Sequence, residues 1–298
     1  MSIFPAHAGG VEIPVGVALA QPVSVLPRGP GLWYEPKYDG LRMIMFRGEE
    51  AVDCQARSGR IITPSWPDLA AAGAALDPGT VLDGEAVVWR DGALDFAAAQ
   101  ARRASSPSRA LALSRRLPAQ YAVFDVLAHP RYGDVRSRPY SERRRMMLEL
   151  VEPLGHPIRP VPATDDPDVA LHWYESLRAI SVEGLVIKRA SSAYRGDHRI
   201  WQKMRHSEPR DLQVVGYTGT PRRPQALVVE LPPGGRLALT QRLSPVLASQ
   251  AAARLREAPA GVPARTPDGV LYTTARGITV ESLAGTTRHQ VVTVTRVR

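Results

Sequence analysis

The sequence holds a single cysteine, and lysine is nearly absent from it. Cys54 has no possible partner in the chain, which excludes an intramolecular disulfide and fits a reducing compartment. No apolar run reaches the ~18 residues that a membrane-spanning helix needs. Residues 1–21 carry no basic stretch ahead of their apolar one, so they do not read as a secretory signal. The seven histidines are scattered without metal-ligand spacing, which argues against a structural zinc. These absences point to a cytoplasmic globular protein. Its 298 residues, 44% of them hydrophobic, are enough for two domains, each with its own core.

Of the 38 basic residues, three are lysines and the rest are arginines. An amine can lose its proton and attack as a nucleophile, which a guanidinium cannot. The positions of Lys37, Lys188 and Lys203 therefore carry information. The net charge of +9 is unevenly spread: residues 1–205 carry 26 basic and 23 acidic side chains, and residues 206–298 carry 12 and 6. That imbalance fits a polyanionic partner, with a strong contribution from the C-terminal part.

The pattern along the chain is α+β. Strands are expected at 32–35, 41–46, 51–54, 81–89, 120–128, 183–189 and 201–205, from β-prone apolar runs punctuated by glycine. Helices are expected at 66–76, 95–103, 105–116, 141–151 and 166–180. Asp95 and Ser141 are read as N-caps, Pro167 as a first-turn residue, and Arg143 to Arg145 as an outer face. Asp91-Gly92 reads as a hairpin turn. Beyond a boundary near 206–210 come short strands with Gly/Pro turns and one alanine-rich helix at 245–257. That combination suggests a small β-barrel.

Five short segments carry chemistry. Lys37 lies in Glu35-Pro36-Lys37-Tyr38-Asp39-Gly40-Leu41-Arg42, and Glu85 in Leu82-Asp83-Gly84-Glu85. Phe124 lies in a strand interrupted by Asp125. Glu183-Gly184-Leu185-Val186-Ile187-Lys188 places an acid and an amine five apart, on opposite faces of a strict strand unless the chain bends at Gly184. Trp201-Gln202-Lys203-Met204-Arg205 puts two cations on one strand face, suited to gripping a phosphate. Each segment alone also has an ordinary structural reading: a surface strand-turn for Lys37, the wet face of a strand turn for Glu85, a core residue for Phe124, a core strand with charged, solvated ends for Glu183–Lys188, and the wet face of an edge strand for Lys203 and Arg205.

In this order the five segments, K-x-D-G-x-R, D-G-E, Φ-Φ-F-D, E-G-Φ-Φ-Φ-K and W-x-K-x-R, resemble the covalent nucleotidyltransferase superfamily. Within it they resemble small bacterial ATP-dependent DNA ligases. The resemblance implies an adenylation (nucleotidyltransferase) domain of antiparallel sheets with flanking helices at 1–206, followed by an OB-fold β-barrel at 207–298. It implies ATP and Mg²⁺ or Mn²⁺ as cofactors. It also implies nicked duplex DNA as substrate, other DNA-repair proteins as partners, and a monomer associated with the nucleoid.

By the same resemblance, Lys37 is the catalytic lysine that accepts AMP. Glu35 and Phe124 would meet adenine, and Arg42 and Glu85 the ribose and the nick end. Arg57 would touch phosphate, and Lys188, Lys203 and Arg205 would grip the α-phosphate. Glu183, with Glu85, would bind metal. The Phe96, Gln100 and Arg103 helix is expected to be structural. Two positions depart from the family pattern. Arg205 stands where lysine is usual. The last motif is incomplete, with Arg288-His289 and Arg296-Val297-Arg298 resembling only its surroundings. The alternatives are an RNA ligase or RNA-end nucleotidyltransferase, and an inactive nucleic-acid-binding relic.

Overall fold

Two strands joined by a three-residue connection link the two sheets of the N-terminal unit. Leu32–Lys37 belongs to a four-stranded sheet and Leu41–Arg47 to a seven-stranded one, so the chain crosses between sheets at Tyr38-Asp39-Gly40. A computed structural model describes residues 7–232, 235–259, 261–285 and 292–298 of the protein. The chain separates into two compact units, Met1–Arg205 and His206–Arg298.

In the seven-stranded sheet, Leu41–Arg47 lies between Val52–Ala56 and Thr80–Arg90, and Ala119–His129 flanks Thr80–Arg90. Both faces of these strands are covered, which is why they read as near-continuous apolar runs. Met43, Met45, Leu82, Tyr121 and Val123 point to one side, where Leu69, Ala98, Ala99 and Met147 from the helices cover them. Ile44, Phe46, Val81 and Leu127 point to the other side, together with Tyr194 and Trp201.

The four-stranded sheet runs Ala20–Pro22, Trp201–Arg205, Gly184–Arg189, Leu32–Lys37. Its outer face packs Leu32, Tyr34, Leu185, Ile187 and Met204 against Ala170 of the Pro167–Ser176 helix. Among the described residues of this unit, the strand pairings are antiparallel with two exceptions. Ile158–Pro160 runs parallel to Ala119–His129, and Ala20–Pro22 runs parallel to Trp201–Arg205.

Local chemistry explains several element ends. The Asp95 carboxylate accepts from Ala98 N–H at 2.8 Å and starts the Phe96–Arg103 helix. Asp91 and Gly92 both take positive φ, 53° and 80°, in the turn joining Thr80–Arg90 to Ala93–Leu94. Asp166 caps the next helix ahead of Pro167.

The helix expected from Ser141 differs from the expectation. It spans Tyr140–Val151 with Pro139 at the cap position, and Arg143 and Arg144 face inward rather than outward. Burying a guanidinium is tolerable only when it is paired. Arg143 binds Asp125 through two contacts at 2.8 and 3.0 Å, and Arg144 approaches Glu35 at 3.7 Å.

The C-terminal unit is a six-stranded sheet that curls on itself as an OB-fold does. Arg236–Leu239, Arg223–Leu231, Ser207–Thr220 and Leu271–Gly285 lie in that order, and Val292–Val297 pairs with the last of them. Gln241, just past one edge strand, donates to the Val292 carbonyl on the other at 2.9 Å. The Pro245–Glu257 helix caps the interior through Ala251 and Leu255, against Val214, Leu227, Val229 and Ile278. Arg298 sits between Asp211 and Glu281 at 2.8 and 2.7 Å. Arg288 and His289 lie outside the described residues.

Candidate active site

Register decides which side chains meet. In the four-stranded sheet, Lys37, Gly184 and Arg205 lie abreast, as do Glu35, Val186 and Lys203. Neighbours across a strand pair share a face, so Glu35, Lys37, Lys188, Lys203 and Arg205 all project from one face of this sheet. In the seven-stranded sheet, Arg42 is abreast of Glu85, and Ile44 of Asp83. Arg42, Asp83 and Glu85 therefore share the face that also carries Ile44 and Phe46. A register shift near Phe124 in the strand beyond brings both Phe124 and Asp125 to this side.

Glu183 joins Lys37 because of Gly184. That glycine takes φ +147°, and a Cβ there would lie 2.0 Å from the Met204 carbonyl oxygen. The bend overrides strand alternation and turns the buried Glu183 carboxylate toward Lys37. The Lys37 ammonium donates to Glu183, and Arg205 Nε stands 2.9 Å from the other carboxylate oxygen. Lys203 belongs to the same group. Burial, followed by the charges of Arg205 and Lys37, lowers its ammonium to about 8, and the exposed Arg57 adds to the effect. On the facing strand, burial pushes the Glu85 carboxyl up to about 7, although Lys37 and Arg42 oppose the shift.

Arg42 is held rigidly. Its Nε and Nη2 donate to the two Asp83 oxygens at 3.0 and 2.6 Å, and its Nη1 donates to the Ala18 carbonyl. Burial works against its charge, but the Asp83 carboxylate more than reverses this and raises the guanidinium above its ordinary value. Tyr194 completes the group by donating to Asp83 at 2.7 Å and accepting from Ala18 N–H at 3.1 Å.

A second cluster of side chains lies along the same faces. The Phe124 ring is edge-on to Trp201 at 5.8 Å, and Arg42 lies 5.3 Å from its centroid. Lys188 is fully buried here. It donates to the Phe124 carbonyl at 2.7 Å, lies 2.9 Å from Glu35, and approaches the Phe124, Tyr140 and Trp201 rings. The Tyr140 hydroxyl donates to Glu35. Lys188 was expected with Lys203 and Arg205. The structure instead places it beside Glu35 and Phe124.

Among the described residues, no three His, Cys, Asp or Glu side chains group to hold a metal ion. Glu183 and Glu85 offer hard oxygen donors facing Lys37. That donor set fits a Mg²⁺-type ion, which commonly takes one or two carboxylates and completes its shell with phosphate and water.

A family model described as "ATP dependent DNA ligase domain" matches residues 18–205. The chain belongs to the ATP-dependent DNA ligase family. It is 35% identical over 205 residues to DNA ligase C2 of Mycolicibacterium smegmatis, covering 68% of this chain and 57% of that protein. It is 36% identical over 209 residues to DNA ligase C of Mycobacterium tuberculosis, covering 68% and 58% respectively. The chain thus spans a little over half the length of these curated relatives. Among solved structures, the ligase domain of M. tuberculosis LigD superposes with TM-score 0.54 at 22% identity, over 95% of this chain and 94% of that one. A structure from a study of Lig E DNA ligases superposes with TM-score 0.60 at 18% identity, over 95% and 99%. These two likenesses establish the shared ligase fold. Among the described residues no helix is long and apolar enough to cross a membrane.

The family motifs account for Lys37, Arg42, Glu85, Glu183 and the cations at 203 and 205. They do not account for Tyr140, Arg143, Arg144 or Tyr194. The one sequence signal for such partners is an acid inside an apolar strand, at Asp83 and Asp125. A fully buried carboxylate requires a donor from elsewhere in the chain.

Proposed function

We propose that this ligase-family chain seals nicks in duplex DNA by way of a lysyl-AMP. The observation that supports this reading is the cluster of Lys37, Glu183, Lys203 and Arg205 on one sheet face, opposite Arg42 and Glu85 on the other. An ammonium that donates to a carboxylate has no lone pair to offer. Once its proton leaves, the Lys37 Nζ attacks the α-phosphorus of ATP, a P–N bond forms, and pyrophosphate departs with the P–O bond pair. AMP then passes to the 5′-phosphate of the nick, which regenerates the amine. Finally the 3′-hydroxyl attacks that phosphate, closing the strand and releasing AMP.

Lys203 and Arg205 would take the α-phosphate oxygens, with Arg57 contributing from the nearby turn. Phe124 would stack on the base, while Glu35 and Lys188 beside it face the base edge with an acceptor and a donor. Arg42, fixed by Asp83 and Tyr194, would hold the ribose together with Glu85. Glu183 and Glu85 would hold Mg²⁺ or Mn²⁺, which supplies charge neutralisation at the phosphates. The basic C-terminal unit would contact the duplex backbone. The protein would work as a monomer on the chromosome in the cytoplasm, alongside other repair proteins.

The test is covalent labelling. Protein incubated with α-labelled ATP and Mg²⁺ or Mn²⁺, then denatured, should keep the label in wild type and lose it in Lys37→Ala. Equal labelling of the two would overturn the reading. Parallel assays on nicked DNA and nicked RNA then fix the strand class.

A further inference from the structure

We infer that the helix Pro107–Arg116 is a second nucleic-acid surface, one that grips duplex phosphates away from the nick. From Phe96 to Phe124 the chain carries five arginines and no acidic residue. Arg102 is buried against Asp68. The other four, Arg103, Arg109, Arg115 and Arg116, are exposed, and none of them has an ion-pair partner among the described residues.

Helical periodicity gathers three of them. At ~100° per residue, Ser108, Arg109, Ala112, Arg115 and Arg116 form one continuous arc, and all five are exposed. Ala110 and Leu113, on the other side of the helix, are its buried residues. Arg109 and Arg116 stand two turns apart, about 10.5 Å along the axis. That separation lets the two guanidinium groups reach different phosphates of a backbone rather than compete for one. Ser108 and Ala112 between them are small, so a backbone can approach closely. Guanidinium forks suit phosphate oxygens. A protein partner would call for an apolar centre, and the one large apolar side chain exposed on this helix, Leu111, lies at the edge of the arc and not at its centre.

The surface faces away from the Lys37 cluster. Ala98 and Ala99 of the preceding helix cover Met43 and Met45, on the side of the seven-stranded sheet opposite Arg42 and Ile44. A duplex held by the arginine arc is therefore not the stretch whose ends meet at Lys37. The arc instead holds intact or flanking duplex, independent of sequence. The choice of DNA as the polyanion rests on the proposed ligase activity, and the geometry of the arc does not.

The experiment uses an intact duplex without a nick, so that it does not depend on strand sealing. Binding is followed by fluorescence anisotropy from 50 to 200 mM salt for wild type and for R109A/R115A/R116A, with Lys37 labelling by ATP measured in parallel. Each lost phosphate contact removes about 0.9 from the slope of log K against log salt. The triple variant should lose about 2 to 3 units of slope and at least about tenfold in affinity, with labelling unchanged. R109K/R115K/R116K, which keeps the charge, should retain the slope. Equal slopes in wild type and the alanine variant would overturn the inference, as would failure of wild type to bind intact duplex. Absence of labelling in wild type, with duplex binding intact, would instead sink the proposed lysyl-AMP chemistry and leave the arginine surface standing. If the triple variant is unfolded, Arg115→Ala alone, farthest from the buried face, decides the matter by a loss of about 1 unit.

Discussion

Lys37 and Glu183 are joined twice. The Glu183 N–H donates to the Lys37 carbonyl at 2.8 Å, and the Lys37 ammonium donates to the Glu183 carboxylate. The backbone bond fixes the distance between two segments that lie far apart in sequence. The side-chain contact then holds the amine where the proposed lysyl-AMP chemistry needs its nucleophile. Arg205 shares the same carboxylate, so Glu183 organises two cations. Replacing it with alanine leaves both without their anchor. Glu183→Ala should lower strand sealing by about a hundredfold or more, in the range seen when a charged group that organises a reacting centre is removed. Sealing of a nicked duplex, with lysyl-AMP formation followed separately, checks this. Near-normal turnover would remove Glu183 from the machinery.

Gly184 makes that meeting possible, so its replacement should be costly even though hydrogen is its only side chain. Its positive φ disfavours any L residue, and a Cβ would collide with the Met204 backbone. Gly184→Ala should lose about 2–4 kcal/mol of stability, or straighten the strand and carry Glu183 away from Lys37. Chemical denaturation combined with labelling separates the two results. A variant that matches wild type in both would show that the bend is not required.

Much of this was legible in the sequence because local chemistry and tertiary structure agree. Asp91-Gly92 turns, Asp95 caps, and the helix over Pro245–Glu257 has the bounds that its alanine pattern suggested. The W-x-K-x-R segment was readable because strand alternation puts Lys203 and Arg205 on one face, whereas Glu183 reaches Lys37 only through the bend at Gly184. Arg143 and Arg144 were not readable. A charged helical residue is ordinarily solvent-facing, and only the distant carboxylates Asp125 and Glu35 turn these two inward. Lys188 was misplaced for a related reason. Spacing left Glu183 and Lys188 on opposite faces unless Gly184 bends, and only the packing of Phe124, Tyr140 and Trp201 shows where Lys188 lies.

The Asp125–Arg143 pair offers a test that concerns the scaffold. Both side chains are fully buried. Burial alone would raise the Asp125 carboxyl, and Arg143 more than offsets this and holds it below the usual carboxylate range. Removing the acid strands a buried guanidinium, at a cost of about 3–5 kcal/mol. Asp125→Ala should show this as a shifted denaturant midpoint with an unchanged slope. A shift of less than about 1 kcal/mol would mean that the pair is not load-carrying in the fold.

Lys203 ties stability and nucleotide binding to pH. Its folded value of about 8 lies below its ordinary value of 10.5. Between these limits the unfolded chain keeps a proton that the folded chain has lost, so stability rises with pH across the window. Below pH 8 both states are charged, and the penalty of crowding Lys203 against Arg205 and Lys37 is present in full. Lys203 is only partly buried, so solvent screening reduces the size of the effect. Lys203→Met should flatten the rise, as measured by urea midpoints at pH 7 and pH 9.5. Midpoints that track wild type in parallel would count against the assignment. In the proposed role of Lys203, the same proton carries the charge offered to the α-phosphate. In wild type the apparent KM for ATP in lysine labelling should climb above pH 8, and in Lys203→Arg, which stays charged, it should remain level over that range.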